Sequence, residues 1–284
     1  MYLNQKSIQA LENLKNYPPS VDNYQAKKRS AVLVALVANN EGDLEVILTA
    51  RSSSLRTGAG ESAFPGGKQD PEDADLITTA KREAFEEVRL LPSNSQVLTV
   101  LSPVLSRHLH VVTPVVAFCP DLRTTDLTTL LRPNPGEVAA IFTEPLEYFL
   151  SPRPGDYNWF DMDWISNHRV HRFERCGTHN FILEKLESSG QLPQTATTTS
   201  SSNSSSVSNS GEDKQLEKKE IVAQENPTKV GWAVYGLTAG VLIEVAKIAY
   251  QRNPDFETFA PGQTLNNESV VAWYNQKYGP QPVL

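Results

Sequence analysis

Phe64-Pro65-Gly66-Gly67-Lys68-Gln69-Asp70-Pro71, followed by Thr78-Thr79-Ala80-Lys81-Arg82-Glu83-Ala84-Phe85-Glu86-Glu87-Val88-Arg89-Leu90, is the stretch on which the fold turns. A Pro-Gly-Gly break runs into a helical pattern that carries three glutamates. On a helix Glu83 meets Glu87 at i,i+4 and Glu86 at i,i+3, so all three project from neighbouring turns of one side. Like charges at that spacing repel by about 0.2–0.5 kcal/mol per pair, and coordination of a hard cation such as Mg2+ by oxygen ligands would reverse that cost. Leu76, Ala80 and Ala84 with Ile77, Lys81 and Phe85 give the helix a mixed apolar face, which predicts packing on a sheet with the acidic side outward. Asp73 and Asp75 precede the helix as candidate caps. Gly66 and Gly67 permit backbone angles closed to other residues, so a carbonyl can turn towards the acidic side.

Upstream, residues 30–38 form a nearly continuous apolar run, and residues 44–49 follow after Asn39-Asn40-Glu41-Gly42-Asp43. A hairpin is expected there, its first strand buried on both faces. Arg51 and Arg56 come next on a loop, where they can fork onto phosphate oxygens or, as the plainer alternative, pair with nearby acids. Downstream, residues 96–101 and 111–118 read as strands, with an edge or a bulge expected at Pro114. His108 and His110 read as polar loop residues rather than a metal pair, since no third ligand is in reach. Asn134-Pro135-Gly136-Glu137 is a turn leading into a strand. Trp159-Phe160, Trp164 and the alternation at 168–173 suggest a further hairpin, whose aromatics line a core or, as the alternative, stack on an adenine.

Composition bounds the rest. Across 284 residues, 39% hydrophobic and 21% charged content describes a soluble globular protein with length for a buried core. A formal charge of −7 argues against general nucleic-acid binding, so an anionic substrate needs local cations. Cys119 and Cys176 are far apart with no C-x2-C spacing, which speaks against zinc and suits a reducing compartment, with Cys119 a buried free thiol. No apolar run is long enough for a membrane span, and the first thirty residues lack a signal-peptide apolar region. From 188 to 225 the chain is almost wholly Ser, Thr, Asn, Gln and charge, and a disordered loop is expected. Apolar residues recur with helical spacing from 230 to 250, and short helices are expected at 8–14, ended near Pro18-Pro19, and at 269–276.

The central stretch resembles the Nudix box, G-x5-E-x7-R-E-U-x-E-E-x-G-U with U aliphatic. Arg82 to Leu90 match every fixed position except one, where Arg89 stands for glycine, and Asp70 or Asp73 sits near the place of the first glutamate. The first half is one residue longer than the general form. Upstream, residues 48–67 resemble the signature of the coenzyme A diphosphatase branch, which carries the same extra residue. Tyr235-Gly236-Leu237-Thr238-Ala239 resembles the family's W-G-x-T-A helix start, so the pieces on both sides of the polar segment are expected in one domain. The boundaries are then an N-terminal helical extension at 1–28, the Nudix domain at 29–187 and 227–260, an insert at 188–226 and a tail at 261–284.

The resemblance implies an α+β fold, an α/β/α sandwich with a mixed β-sheet between helices. It implies Mg2+ or Mn2+ held by Glu83, Glu86, Glu87 and the carbonyl of Gly66, with Arg82 orienting the glutamates and Arg51 and Arg56 meeting substrate phosphates. Either Glu86 or Glu137 removes the proton from the attacking water. The implied reaction is hydrolysis of the diphosphate of coenzyme A or acyl-CoA to 3′,5′-ADP and (acyl-)4′-phosphopantetheine. The branch commonly has histidine where this chain has Gly58. Another nucleoside diphosphate derivative (ADP-ribose, a dinucleoside polyphosphate or a capped RNA end) and a non-catalytic nucleotide-binding module therefore stand as alternatives. The expected partner is a small-molecule substrate, with no membrane and no general nucleic-acid binding, and a homodimer is compatible. An intracellular location is expected: the peroxisome or mitochondrion by resemblance, the cytoplasm without targeting.

Overall fold

The apolar run at the start of the domain forms β1 (Arg29–Ala38), and the turn-rich connector folds it onto β2 (Leu44–Arg51) as an antiparallel hairpin. The structure is a computed structural model that describes residues 3–56, 58–177, 181–183, 231–263 and 267–279. These fall in one unit, residues 1–184 with 230–284; a second unit at 185–229, and with it the expected polar insert at 188–226, lies outside the described residues.

Short strands β3 (Ser62–Ala63) and β4 (Gly66–Lys68) flank the Pro-Gly-Gly break and pair with β2 and β1. Then come β5 (Gln96–Val100), β6 (Val104–Leu105), β7 (Val111–Arg123) and β8 (Val138–Pro145). A second sheet holds β9 (Tyr157–Trp164) and β10 (Ser166–Cys176); β11 (Phe181–Leu183) returns to the first sheet and β12 (Trp232–Tyr235) joins the second. Among the described residues the main sheet runs β11-β8-β2-β1-β7-β5, with β3, β4 and β6 attached to it, and the small sheet runs β12-β10-β9. β1 and β7 are parallel, and the other pairings are antiparallel, which makes the main sheet mixed.

Helices cover both faces of this sheet. α1 (Gln5–Asn16) lies on one side, and α2 (Leu76–Val88) lies on the other. A single turn, α3 (Leu127–Leu130), precedes β8; α4 (Gly236–Tyr250) joins α1, with Asn13 Nδ2 donating to the Ala249 carbonyl at 2.8 Å; α5 (Asn267–Tyr278) closes the described chain. The alternation of β1 decides the layering. Ala31, Leu33, Ala35 and Val37 pack towards Ala80, Ala84 and Val88 of α2, while Val34 and Leu36 enter the core with Leu14 and the apolar face of α4. The expected α+β sandwich, the first hairpin, and helices near both termini are therefore present. No helix among the described residues is long and apolar enough to cross a membrane.

Three expectations change. Pro114 is neither at an edge nor at a bulge of its own: it sits inside β7, between β1 and the β5–β6 side. It is tolerated because its nitrogen faces the break between β5 and β6, where only the Leu101 amide reaches its carbonyl, at 3.0 Å. Residues 232–235 form β12, paired with β10, ahead of the helix. Trp159 and Phe160 belong to no core, being 48% and 44% exposed, and the Trp159 ring instead carries the Arg169 guanidinium at 3.7 Å.

Candidate active site

α2 is capped at Asp75, whose backbone is extended and whose side chain accepts the Thr78 N–H at 2.7 Å. It ends at Arg89 in the left-handed conformation, φ 63° and ψ 23°, where relatives of the motif carry glycine. Between these caps the Ala80, Ala84 and Val88 stripe is fully buried, and its small side chains bring the helix close to β1.

The Pro-Gly-Gly turn lies against this helix. The Gly66 N–H donates to Glu87 Oε2 at 3.1 Å, so the contact this glycine makes to the glutamates is through its amide. A Cβ on Gly66 would stand 2.4 Å from the Ala31 carbonyl, and one on Gly67 2.4 Å from Glu83 Oε1. The two glycines therefore exist for two close approaches, one to β1 and one to a carboxylate.

Arg82 is the hub on the solvent side. Its Nε and Nη2 donate to the two carboxylate oxygens of Asp73, each at 3.0 Å, and it also reaches the Lys68 carbonyl at 2.9 Å, Glu83 at 3.2 Å and Glu86 at 3.2 Å. Asp73 thus holds this arginine rather than acting as the helix cap expected of it, and the Arg82 hydrogen bonds pull its pKa down to about 2. Asp75 alone takes the capping role.

Contrary to expectation, the three glutamates do not share one outward face. Glu87 is buried, and desolvation pushes its pKa up to about 7, against the Gly66 amide and the Arg51 charge, which favour ionisation. Burial also raises Glu83. Glu86 is half exposed. Among the described residues no three His, Cys, Asp or Glu side chains converge closely enough to hold one metal ion, because Arg82 lies between Glu83 and Glu86 while Glu87 is drawn to the Gly66 amide. His108 and His110 form no such group either. In kind, the donors fit a hard divalent cation: they are carboxylates with neither imidazole nor thiolate among them. Two partly desolvated acids side by side are also electrostatically short of positive charge.

Two loops close over the end of α2. The Asn134 amide donates to the Glu87 carbonyl at 2.8 Å and the Arg132 amide to Val88 at 3.1 Å, which docks the turn carrying Glu137 onto the last helical turn. The Ser52 amide donates to the Glu137 carbonyl at 2.9 Å, and Ser54 Oγ to the Gly136 carbonyl at 3.2 Å, which brings in the arginine loop. Glu137 is exposed, held by Asn134 Nδ2 at 2.8 Å, and its charge helps to raise Glu87. Arg51 is half-buried and acts on Glu87 in the opposite sense; Arg56 is exposed and makes no ion pair among the described residues. The structure so gathers Arg51, Gly66, Arg82, Glu83, Glu87 and Glu137 around one helix end, leaves Glu86 at its solvent rim and Arg56 outside. Sequence reasoning missed Asp73 as the clamp on Arg82 and Asn134 as the staple of the Glu137 turn.

Known proteins resemble the chain in sequence. The sequence profile described as NUDIX domain matches residues 27–178, more than half of the chain. The chain is 34% identical over 233 residues to Nudix hydrolase 15, mitochondrial, of Arabidopsis thaliana, covering 81% of this chain and 61% of that protein's length. It is 41% identical over 128 residues to Peroxisomal coenzyme A diphosphatase NUDT7 of Mus musculus, 45% of this chain and 51% of that one. A protein described as Uncharacterized Nudix hydrolase NudL, from Yersinia enterocolitica, is 43% identical over 143 residues, 50% of this chain and 68% of that one. With its mixed sheet between helices and its glutamate helix seated on a double-glycine turn, the chain belongs to the Nudix family.

Proposed function

We propose that this chain is a divalent-metal-dependent hydrolase of the diphosphate bond of coenzyme A or acyl-CoA, releasing 3′,5′-ADP and (acyl-)4′-phosphopantetheine. The observation that carries it is the seat of Glu83 and Glu87: two partly desolvated carboxylates on one helix, pressed against Gly66-Gly67, with Arg51 beside them. Support for the substrate comes from residues 48–67 and from the likeness to a protein named as a coenzyme A diphosphatase. Glu83, Glu86, Glu87 and the Gly66 carbonyl would hold Mg2+ or Mn2+, which when bound lowers the pKa of water and neutralises charge growing on phosphate oxygens.

The chain's own residues then have distinct tasks. Asp73 fixes Arg82, and Arg82 sets the directions of Glu83 and Glu86. Glu86, tied to Arg82 at the rim, is the arm that swings inward. Arg51 and the exposed Arg56 face substrate phosphates as bidentate donors. Glu86 or Glu137 takes the proton of the attacking water. A peroxisomal or mitochondrial location belongs to the same proposal.

Gly58 favours a second assignment. Its φ of +66° disfavours a side chain, and a Cβ there would stand 3.0 Å from Glu61 Oε2 and 3.3 Å from Arg51 Nε, so the branch's histidine would be strained here and would displace both side chains. A different nucleoside diphosphate derivative, such as ADP-ribose, is the reading that this supports. Product analysis after incubation with CoA, acyl-CoA and ADP-ribose, with Mg2+ or Mn2+ and with chelator, decides. Metal-dependent release of 3′,5′-ADP from CoA esters is expected. Faster cleavage of ADP-ribose selects the second assignment, and tight nucleotide binding with no turnover of any substrate selects a non-catalytic module.

A further inference from the structure

A cavity of about 520 Å3 opens beside the arginine loop, between β6, the β9–β10 hairpin and the first turns of α4. Its wall is mainly apolar, with Val104, Leu105, Met162, Trp164, Leu237 and Val241 along it. Glu61 and Ser62 also line it, and from Ser62 the extended chain reaches Gly66 within about 13 Å, at ~3.3 Å per residue. The cavity is thus within reach of an arm attached to a diphosphate lying at the glutamates.

Two features mark it as built for a ligand. Ser62 is buried, and its Oγ has no hydrogen-bond partner, although its carbonyl accepts from Thr238 Oγ1 at 3.2 Å. Gly240 lies inside α4 on the same wall, where glycine is among the poorest helix formers, yet a Cβ there would meet nothing within 4 Å. Packing does not require that glycine. Its missing side chain keeps the wall open. The mainly apolar wall between Trp164 and α4 suits an uncharged guest. Arg107 and His108 stand at the β6 side.

We propose that this cavity receives the uncharged, largely aliphatic arm on the non-nucleotide side of the diphosphate, with Gly240, Leu237 and Val241 setting the length accepted. This rests on the diphosphatase assignment above. The arm's alkyl end would lie along the α4 wall.

Gly240→Leu in the full chain is the test. Because the new side chain enters open space on a helix, the melting temperature is expected to hold or rise, so folding is not in question. With octanoyl-CoA and metal, KM is expected to rise about tenfold, while acetyl-CoA and free CoA change less than about twofold. An equal rise for all three substrates, together with weaker inhibition by 3′,5′-ADP, would place the nucleotide in the cavity and overturn the proposal; so would no change at all. If the parent protein cleaves no CoA ester, the diphosphatase assignment fails by itself. The cavity is then probed by S-octanoyl-pantetheine, followed by tryptophan fluorescence with Trp164→Phe as control. Binding weakened about tenfold by Gly240→Leu keeps the arm site, and absence of binding removes it.

Discussion

The two glycines of the turn are adjacent, yet alanine should act on them in opposite ways. At Gly67 the new Cβ would stand 2.4 Å from Glu83 Oε1, and ordinary contact starts at 3.4 Å, so the carboxylate must retreat by about 1 Å. That carboxylate ends a flexible side chain, and no backbone has to move. Stability should therefore change by less than about 1 kcal/mol. A displacement of that size at a reacting centre costs about 10²-fold in rate, so kcat/KM for metal-dependent CoA cleavage should fall by about that factor. At Gly66 the new Cβ would meet the Ala31 carbonyl at 2.4 Å and Val32 Cα at 2.6 Å, both backbone atoms of the central strand β1. Relief there requires the strand itself to shift, and a loss of about 3 kcal/mol is expected. Urea unfolding curves give the stabilities, and product release from CoA gives the rates. Gly67→Ala that stays folded and keeps activity within threefold of the parent would refute the idea that this contact positions Glu83. Gly66→Ala as stable as the parent would refute the close packing of the turn on β1.

Other perturbations follow from the same contacts. Arg89→Gly should stabilise by up to about 1 kcal/mol in denaturant unfolding, since the position already has φ 63°, less what is lost from the guanidinium over Phe85 at 5.4 Å. Asp73→Asn removes the charge from a bidentate clamp and should cost about 2 kcal/mol, with kcat falling because Arg82 loses its fixed direction; unchanged kcat would argue against that positioning role. Arg153→Met leaves Glu144 without its cation and Asp156 with only Arg175, both acids being almost fully buried; Arg153 is itself 40% exposed, so about 2 kcal/mol is expected rather than the larger cost of a fully buried pair. His171 is lowered mainly by burial: Nε2 donates to the Thr258 carbonyl at 3.0 Å, which leaves Nδ1 to accept from the Tyr157 hydroxyl at 2.8 Å. Its folded pKa lies below the unfolded value of about 6.5, so its stabilising effect is full above that pH and declines as pH falls through it. The melting temperature should drop between pH 7.5 and 5.5, and less so in His171→Gln; an equal drop in both would exclude His171 as the cause.

What could be read from the sequence, and what could not, divides along contact range. The β1–β2 hairpin is a local pattern and emerges from residue spacing alone; the cap at Asp75 is one of the two candidates that spacing offered, and the left-handed end of α2 follows from the glycine that the Nudix box has at the place of Arg89. The parallel pairing of β1 with β7, the clamp of Asp73 on Arg82 and the staple of Asn134 on Glu87 join segments whose separation leaves no periodic mark. The orientation of the glutamates is different, because the phase of each carboxylate against the apolar stripe is itself a local pattern. At about 100° per residue, Ala80, Ala84 and Val88 span about 80° centred on Ala84. Glu87 lies about 60° from that centre, Glu83 about 100° and Glu86 about 160° on the same side. Their exposures follow that order, 8% for Glu87 and, for the side chains, 17% for Glu83 and 50% for Glu86. The three acids therefore form a ramp from core to solvent. Glu87 faces the core, where burial disfavours its ionised form, while Glu86 stands at the solvent rim paired with Arg82.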